Sequence, residues 1–218
     1  MNLPQIESFL DSPNPQSRMK AITELRHHEP AIVVPLLKRR MHDQQFLVRS
    51  FVAKGLGHKR NEEAFEALLS IIAHETDPNV VAEAANSLSK FVPQAMSHLV
   101  TLFEQNSHWL IRQSIFATFE DLEAPDALLK LCRLGLNGND VTVKLSAIAN
   151  LGRLKETSYS SEALNITLET AADNNGLVRA RAARTLRYFG GQAAQAALVK
   201  LQQDSDSRVV RAALEGLL

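Results

Sequence analysis

Val178–Leu186 reads VRARAARTL and Val209–Leu217 reads VVRAALEGL, and the fold follows from asking how often this frame recurs. A small or β-branched anchor is followed by a basic residue at +1, small or apolar residues at +4 and +5, and a large apolar residue at +8. The same frame is met at Val143–Leu151 (VKLSAIANL), Ile111–Phe119 (IRQSIFATF), Val80–Leu88 (VVAEAANSL), Val48–Leu56 (VRSFVAKGL) and, more loosely, Ser17–Leu25 (SRMKAITEL). Successive anchors lie 31, 32, 31, 32, 35 and 31 residues apart. Near-constant spacing over seven frames identifies a repeat array.

Each frame predicts a helix. At about 100° per residue, positions 0, +1, +4, +5 and +8 fall within about 140° of arc, the apolar stripe of a helix packed on one side. The +4 column (Ala21, Val52, Ala84, Ile115, Ala147, Ala182, Ala213) is mostly small and permits close approach between layers. The +8 column (Leu25, Leu56, Leu88, Phe119, Leu151, Leu186, Leu217) fills the space between them. Companion helices lie between the frames, as in residues 62–75, 94–105 and 192–203. Pro30, Pro93 and Pro125 and the pair Glu62–Glu63 serve as start signals. Asp11, Asp43, Asp77, Asp173 and Asp204 precede anchored helices and are expected to cap them. No strand-length alternation occurs.

A two-helix unit cannot bury its stripe alone, so it stacks on its neighbours. The expected architecture is all-α: a right-handed α-α superhelix of about seven helix pairs, forming one repeat domain over residues 1–218. The 35-residue interval places three or four extra residues near 154–164, with Tyr159 exposed at the loop tip. Leu214, Leu217 and Leu218 give the last repeat an apolar end suited to self-association or to a cover.

Bulk properties narrow the function. Lys plus Arg and Asp plus Glu number 24 each, so no global field draws nucleic acid or an anionic membrane. A single cysteine, Cys132, excludes a cysteine-based zinc site and reads as a small core residue. The seven histidines show no metal-ligand spacing, and no glycine-rich phosphate loop or nucleophile elbow is present. No metal and no catalytic residue is assigned, no cofactor is required, and neither a signal peptide nor a transmembrane segment is expected.

The +1 cations Arg18, Arg49, Arg112, Lys144 and Arg179 follow the repeat itself and read as scaffold, pairing with the Asp column or with loop carbonyls. Candidate binding residues are those left off the stripe: His27, His58, Lys90, Arg153 and Tyr188 at +10, Lys54 and Arg184 at +6, Lys20, Phe51 and Arg181 at +3. Two readings compete for this basic stripe. Cations at a helix end complement its dipole in any protein; alternatively, the stripe is a groove for an acidic ligand. Trp109, at a helix entry, is expected to pack under its loop.

The unit D-x-x-x-x-V-R-x-x-A-A-x-x-L at this period resembles the HEAT-like repeats of phycobilisome lyases and of the related phycobilisome-degradation protein, from Ser17 to Leu217. The opening QIESFLDSPNPQSRMKAITELRHHEPAIVVPLLKRRMHD looks most like the degradation-type member. That resemblance implies a phycobiliprotein partner, phycocyanobilin as a ligand, and bilin detachment or transfer as the role. It also implies a place in the cytoplasm or at the cytosolic face of thylakoids. Bilin propionates would pair with Arg or Lys of the stripe, and Phe51 and Tyr188 would meet the tetrapyrrole. The alternative is a general protein–protein adaptor with no bilin role.

Overall fold

A computed structural model describes residues 1–215, apart from the side chain of Asp121. Leu217 of the +8 column and Leu218 of the apolar end lie outside the described residues. Among those described, every regular element is helical, and fourteen α-helices form seven pairs. Two compact units, Met1–Thr118 and Phe119–Leu218, divide the chain.

The first unit holds α1 (Leu3–Leu10), α2 (Pro15–Glu24), α3 (Pro30–Lys38), α4 (Phe46–Gly57), α5 (Glu62–His74), α6 (Pro78–Leu88), α7 (Met96–Gln105) and α8 (Trp109–Thr118). The anchored helices α2, α4, α6 and α8 pack side by side in that order, and each rests on its companion α1, α3, α5 or α7. The second unit repeats the scheme. Companions α9 (Pro125–Asn137), α11 (Ser160–Thr170) and α13 (Gly191–Leu201) back the anchored α10 (Val141–Leu151), α12 (Gly176–Phe189) and α14 (Ser207–Leu214).

Helix entry is written identically throughout. All seven anchored helices begin two residues before their anchor, at Pro15, Phe46, Pro78, Trp109, Val141, Gly176 and Ser207. The residue before the start caps six of them: Asn14, Asp77, Asp140, Asn175 and Asp206 accept a first-turn N–H, and His108 Nδ1 accepts from Leu110 N at 3.3 Å, whereas Gln45 before α4 makes no side-chain cap bond. Of the expected acidic caps only Asp77 stands at that position. Asp43, Asp173 and Asp204 sit two residues earlier, where each accepts the cap residue's own N–H at 3.0, 2.7 and 2.8 Å. Ser12, Glu75 and Asn106 do the same in three further repeats. Asp11 belongs to α1 instead: it ends that helix and pairs with Arg39 and Arg40. Pro30 and Pro125 open α3 and α9, while Pro93 lies in the turn before α7.

The +1 arginines link neighbouring repeats. Arg49 donates from Nη1 to Asp43 O at 2.7 Å, in the loop before its own helix. Its Nε and Nη2 reach Glu75, in the next repeat's loop, at 2.6 and 3.0 Å. Arg179 repeats this with Asp173 O at 2.9 Å and Asp204 at 2.8 and 2.7 Å. Arg18 donates to Ser12 O and Pro13 O at 2.8 and 3.1 Å and to Asp43 Oδ1 at 2.9 Å. Its Nε lies 2.7 Å from Asp43 Oδ2, without the alignment of a hydrogen bond. Arg112 bonds Asn106 O and lies over the Phe103 ring. One guanidinium thus closes its own loop and grips the next.

The core follows the columns. Ala21, Val52, Ala84, Ile115, Ala147 and Ala182 are all fully buried, as are Leu25, Leu56, Leu88, Phe119, Leu151 and Leu186. Cys132 is enclosed too, and burial pushes its thiol pKa up. At one layer boundary the helices all but touch: a Cβ on Gly57 of α4 would stand 2.6 Å from Ser87 Cβ and 2.9 Å from Ser87 Cα of α6. In an open helix Gly→Ala stabilises by roughly 0.5–1 kcal/mol. Here overpacking against backbone, about 1–3 kcal/mol, outweighs that gain. Gly57→Ala is therefore expected to lower stability in thermal or urea unfolding. Ser87→Gly in the same chain should recover part of the loss.

Tyr159 is half-buried rather than exposed. The extra residues form a tight turn in which Thr157 N bonds Leu154 O and Thr157 Oγ1 accepts from Tyr159 N, which brings Tyr159 straight onto the start of α11. At the far end, Leu214 is partly exposed on α14.

Candidate functional site

Four of the predicted residues converge in the first unit. His27, Phe51, Lys54 and His58 line a cavity of about 580 Å³ bounded by α2, α3 and α4. Its walls are apolar (Ile22, Leu25, Val33, Leu37) and its rim is basic, with Arg26 and Lys59 joining Lys54 and the two histidines. Gly55 lies against the wall, where a Cβ would meet Leu37 Cδ1 at 2.9 Å.

The local backbone explains the rim. A 3₁₀ turn, Leu25–His27, ends the first anchored helix and brings Arg26 and His27 to the mouth. Arg26 Nε donates to His27 Nε2 at 2.8 Å. Lys59 Nζ donates to Arg26 O and His28 O at 3.0 and 2.7 Å, satisfying carbonyls that the helix end leaves free. Partial burial lowers the Lys59 pKa, opposed by Glu29.

Charge around α4 is one-sided. Burial lowers the His58 pKa, and Lys90, Lys54, Lys59 and Arg60 push it the same way. Lys90, half-buried, is lowered by burial, with Glu83 opposing and Lys54 and Arg60 assisting. Glu83 is raised by burial, partly offset by Lys54 and Lys90. Beyond burial, neighbouring like charges contribute to the shifts of His58 and Lys90, and the cations outnumber the nearby carboxylates Glu83 and Glu29, a balance that favours an anionic ligand.

The remaining predicted residues behave differently. Lys20 is exposed on α2, away from the cavity lining. In the second unit, Arg153 turns onto the end of the preceding anchored segment, donating to Phe119 O and Glu120 O at 2.7 and 2.6 Å. These contacts are those of a cation at a helix end. Arg184 pairs with Glu215 through two bonds of 2.9 Å, and Arg181 is half-buried. Tyr188 is 62% exposed, and its ring lies over Gly152, with Cδ2 2.9 Å from where a Cβ would stand.

Trp109 corrects an expectation: it is 47% exposed, with His108 alongside at 6.1 Å between ring centroids. The helix-start column carried the signal, since Phe46 at the same position is also exposed. Sequence reasoning likewise missed Arg26, Lys59 and Arg60. They flank the frame at positions the repeat leaves free, so no column marks them.

No helix among the described residues is long and apolar enough to cross a membrane. No curated protein matches the chain by sequence. Among solved structures, the Escherichia coli protein YibA is similar at 17% identity, over 97% of this chain and 80% of that one, with a TM-score of 0.65. The complex of CpcE and CpcF of phycocyanin lyase from Nostoc is similar at 18% identity, over 100% of this chain and 95% of that one, with a TM-score of 0.54. An engineered protein is similar at 18% identity, over 98% and 67%, with a TM-score of 0.52. At such identities these likenesses concern the fold. The family model for HEAT repeats matches residues 3–89, 34–120 and 128–218, in agreement with the helix pairs and the arginine links, and the chain belongs to the HEAT-repeat family.

Proposed function

We propose that this chain is a binding scaffold for phycobiliproteins, acting in bilin detachment or transfer or in phycobilisome degradation, and that the cavity of the first unit receives the bilin. The supporting observation is the match between cavity and ligand chemistry. A bilin is a long conjugated body bearing two propionates. The cavity sets apolar walls and Phe51 beside Lys54, Lys59 and a pair of histidines, and its volume of about 580 Å³ suits a small-molecule site. The propionates would lie at the cationic rim and the pyrrole rings against Phe51 and Leu37. Binding of the phycobiliprotein draws on the same face, whose surplus of cations over carboxylates favours an acidic surface. The fold shared with the phycocyanin lyase complex supports the reading.

Absorbance titration with free phycocyanobilin and with phycocyanin tests it. A saturable spectral shift is expected with at least one of them, and Phe51→Ala with Lys54→Glu should weaken it about tenfold or more. The absence of any change with both removes the bilin role. A general adaptor is the second reading, favoured by the exposed Trp109, Phe46 and Leu47. A stoichiometric protein partner recovered without pigment would select it.

A further inference from the structure

We propose that the exposed stripe of α4 seats an acidic amphipathic helix of a partner protein, with the partner's apolar ridge on Leu47 and Phe51 and its carboxylates over the basic end. The proposal deepens the reading that this face of the first unit is a binding face and names what binds there.

Leu47, Phe51, Lys54 and His58 fall at i, i+4, i+7 and i+11, one line along the helix about 16 Å long. Leu47 and Phe51 are 48% and 36% exposed on one half of the line, and Phe46, 37% exposed, adjoins it at the helix start. The repeat does not require them. On the flanking helices the positions matching Leu47 and Phe51 are Gln16 and Lys20 on α2 and Asn79 and Glu83 on α6, all polar, while Phe46 matches Pro15 and Pro78. An apolar centre with a polar surround is the anatomy of an interface core and rim.

The other half of the line supplies the charge. Lys54 and Lys90 flank the half-buried carboxylate Glu83, Arg60 lies close enough to act on both His58 and Lys90, and Lys59 faces Glu29, so cations outnumber carboxylates at this end. Arg60 adds a separate clue. Its φ is +43°, a left-handed conformation that glycine adopts freely and arginine at a cost, so the chain keeps a cation there against the backbone preference. A straight ridge of this spacing takes the i, i+4, i+7 face of another helix, and complementary charge fixes which end of that helix lies over Lys54 and Arg60.

The experiment uses the full chain and a fluorescein-labelled 18-residue helical peptide with leucines at i, i+4 and i+7 and three glutamates at one end. Fluorescence anisotropy should show saturable binding that weakens with salt. Replacing the glutamates by glutamines should weaken it about tenfold, and so should scrambling the leucines. Phe51→Ser should cost about tenfold, and Arg60→Gly, which relieves the backbone and keeps the fold, about three- to tenfold. Equal binding of the glutamine or scrambled peptide, or unchanged binding by both variants, overturns the proposal. Self-association abolished by Phe51→Ser also overturns it, because the occupant would then be a second copy. The bilin titration run alongside separates the two readings: a spectral shift without peptide binding removes this proposal and leaves the cavity reading standing.

Discussion

Replacing Arg18 by leucine is expected to lower the unfolding free energy by about 3–5 kcal/mol, the range for removing one partner of a buried ion pair. The Arg18 and Asp43 side chains are only 10% and 4% exposed, so the carboxylate left behind keeps its desolvation without its cation. Ser12 O and Pro13 O lose their donor at the same time. The loss is thus a penalty of stranding, not the net worth of the pair, and a double variant separates the two. Asn at position 43 is neutral and still accepts the Gln45 N–H that Asp43 now accepts at 3.0 Å. Arg18→Leu with Asp43→Asn should therefore recover a large share of the loss. Urea unfolding of the wild type, both singles and the double gives the coupling, expected at about 2 kcal/mol or more. Full additivity would mean that Arg18 serves only its own loop and that no link between repeats exists there.

That link was partly legible before any coordinates. The +1 column announces a scaffold role because it recurs with the repeat, and of the whole Asp column that it points to as partners, Asp43 and Asp204 take the arginines with their side chains. Glu75 was missed: it holds the same loop position with a longer side chain, and Asp77, two residues on, looked like the equivalent. Both serve, Glu75 as the arginine's partner and Asp77 as the cap. Periodicity reads the buried stripe well because burial constrains every copy alike. It reads the exposed face poorly, since nothing there is shared between copies. The +10 column shows the physical reason. Projecting it at 100° per residue assumes an α-helix to the end, but Leu25–His27, Ser89–Phe91, Phe119–Asp121 and Gly152–Leu154 are 3₁₀ turns. At about 120° per residue, two such steps add about 40° of rotation. The rotation is shared, so neighbours outside the column decide the outcome: His27 lines a cavity while Arg153 bonds the carbonyls of Phe119 and Glu120, although both sit in 3₁₀ turns and occupy one column.

Charge reversal at three predicted groove positions should accordingly give three different outcomes. Lys54 is exposed, repelled by the cations around it and attracted by Glu83, so the two sides largely offset and Lys54→Glu is expected to cost no more than about 1 kcal/mol. Affinity for an acidic partner should still fall about tenfold or more, because the change removes one positive charge and adds a negative one beside the ligand. Arg153→Glu should do the reverse. It strips two charge-assisted bonds, 2.7 and 2.6 Å long, from Phe119 O and Glu120 O and sets a carboxylate against carbonyls already at the negative end of a helix. A loss of about 2 kcal/mol is expected, a drop of roughly 4–8 °C for a chain of this size, with binding at the first-unit cavity unchanged. Lys90 lies between these cases. Half-buried and attracted by Glu83, it should lose both stability and binding on reversal. Differential scanning fluorimetry and the anisotropy assay, run on the same three proteins, read both axes. If Lys54→Glu destabilises the chain as much as Arg153→Glu does, the rim lysine is a helix-end cation like Arg153, and the cavity loses its claim to an anionic ligand.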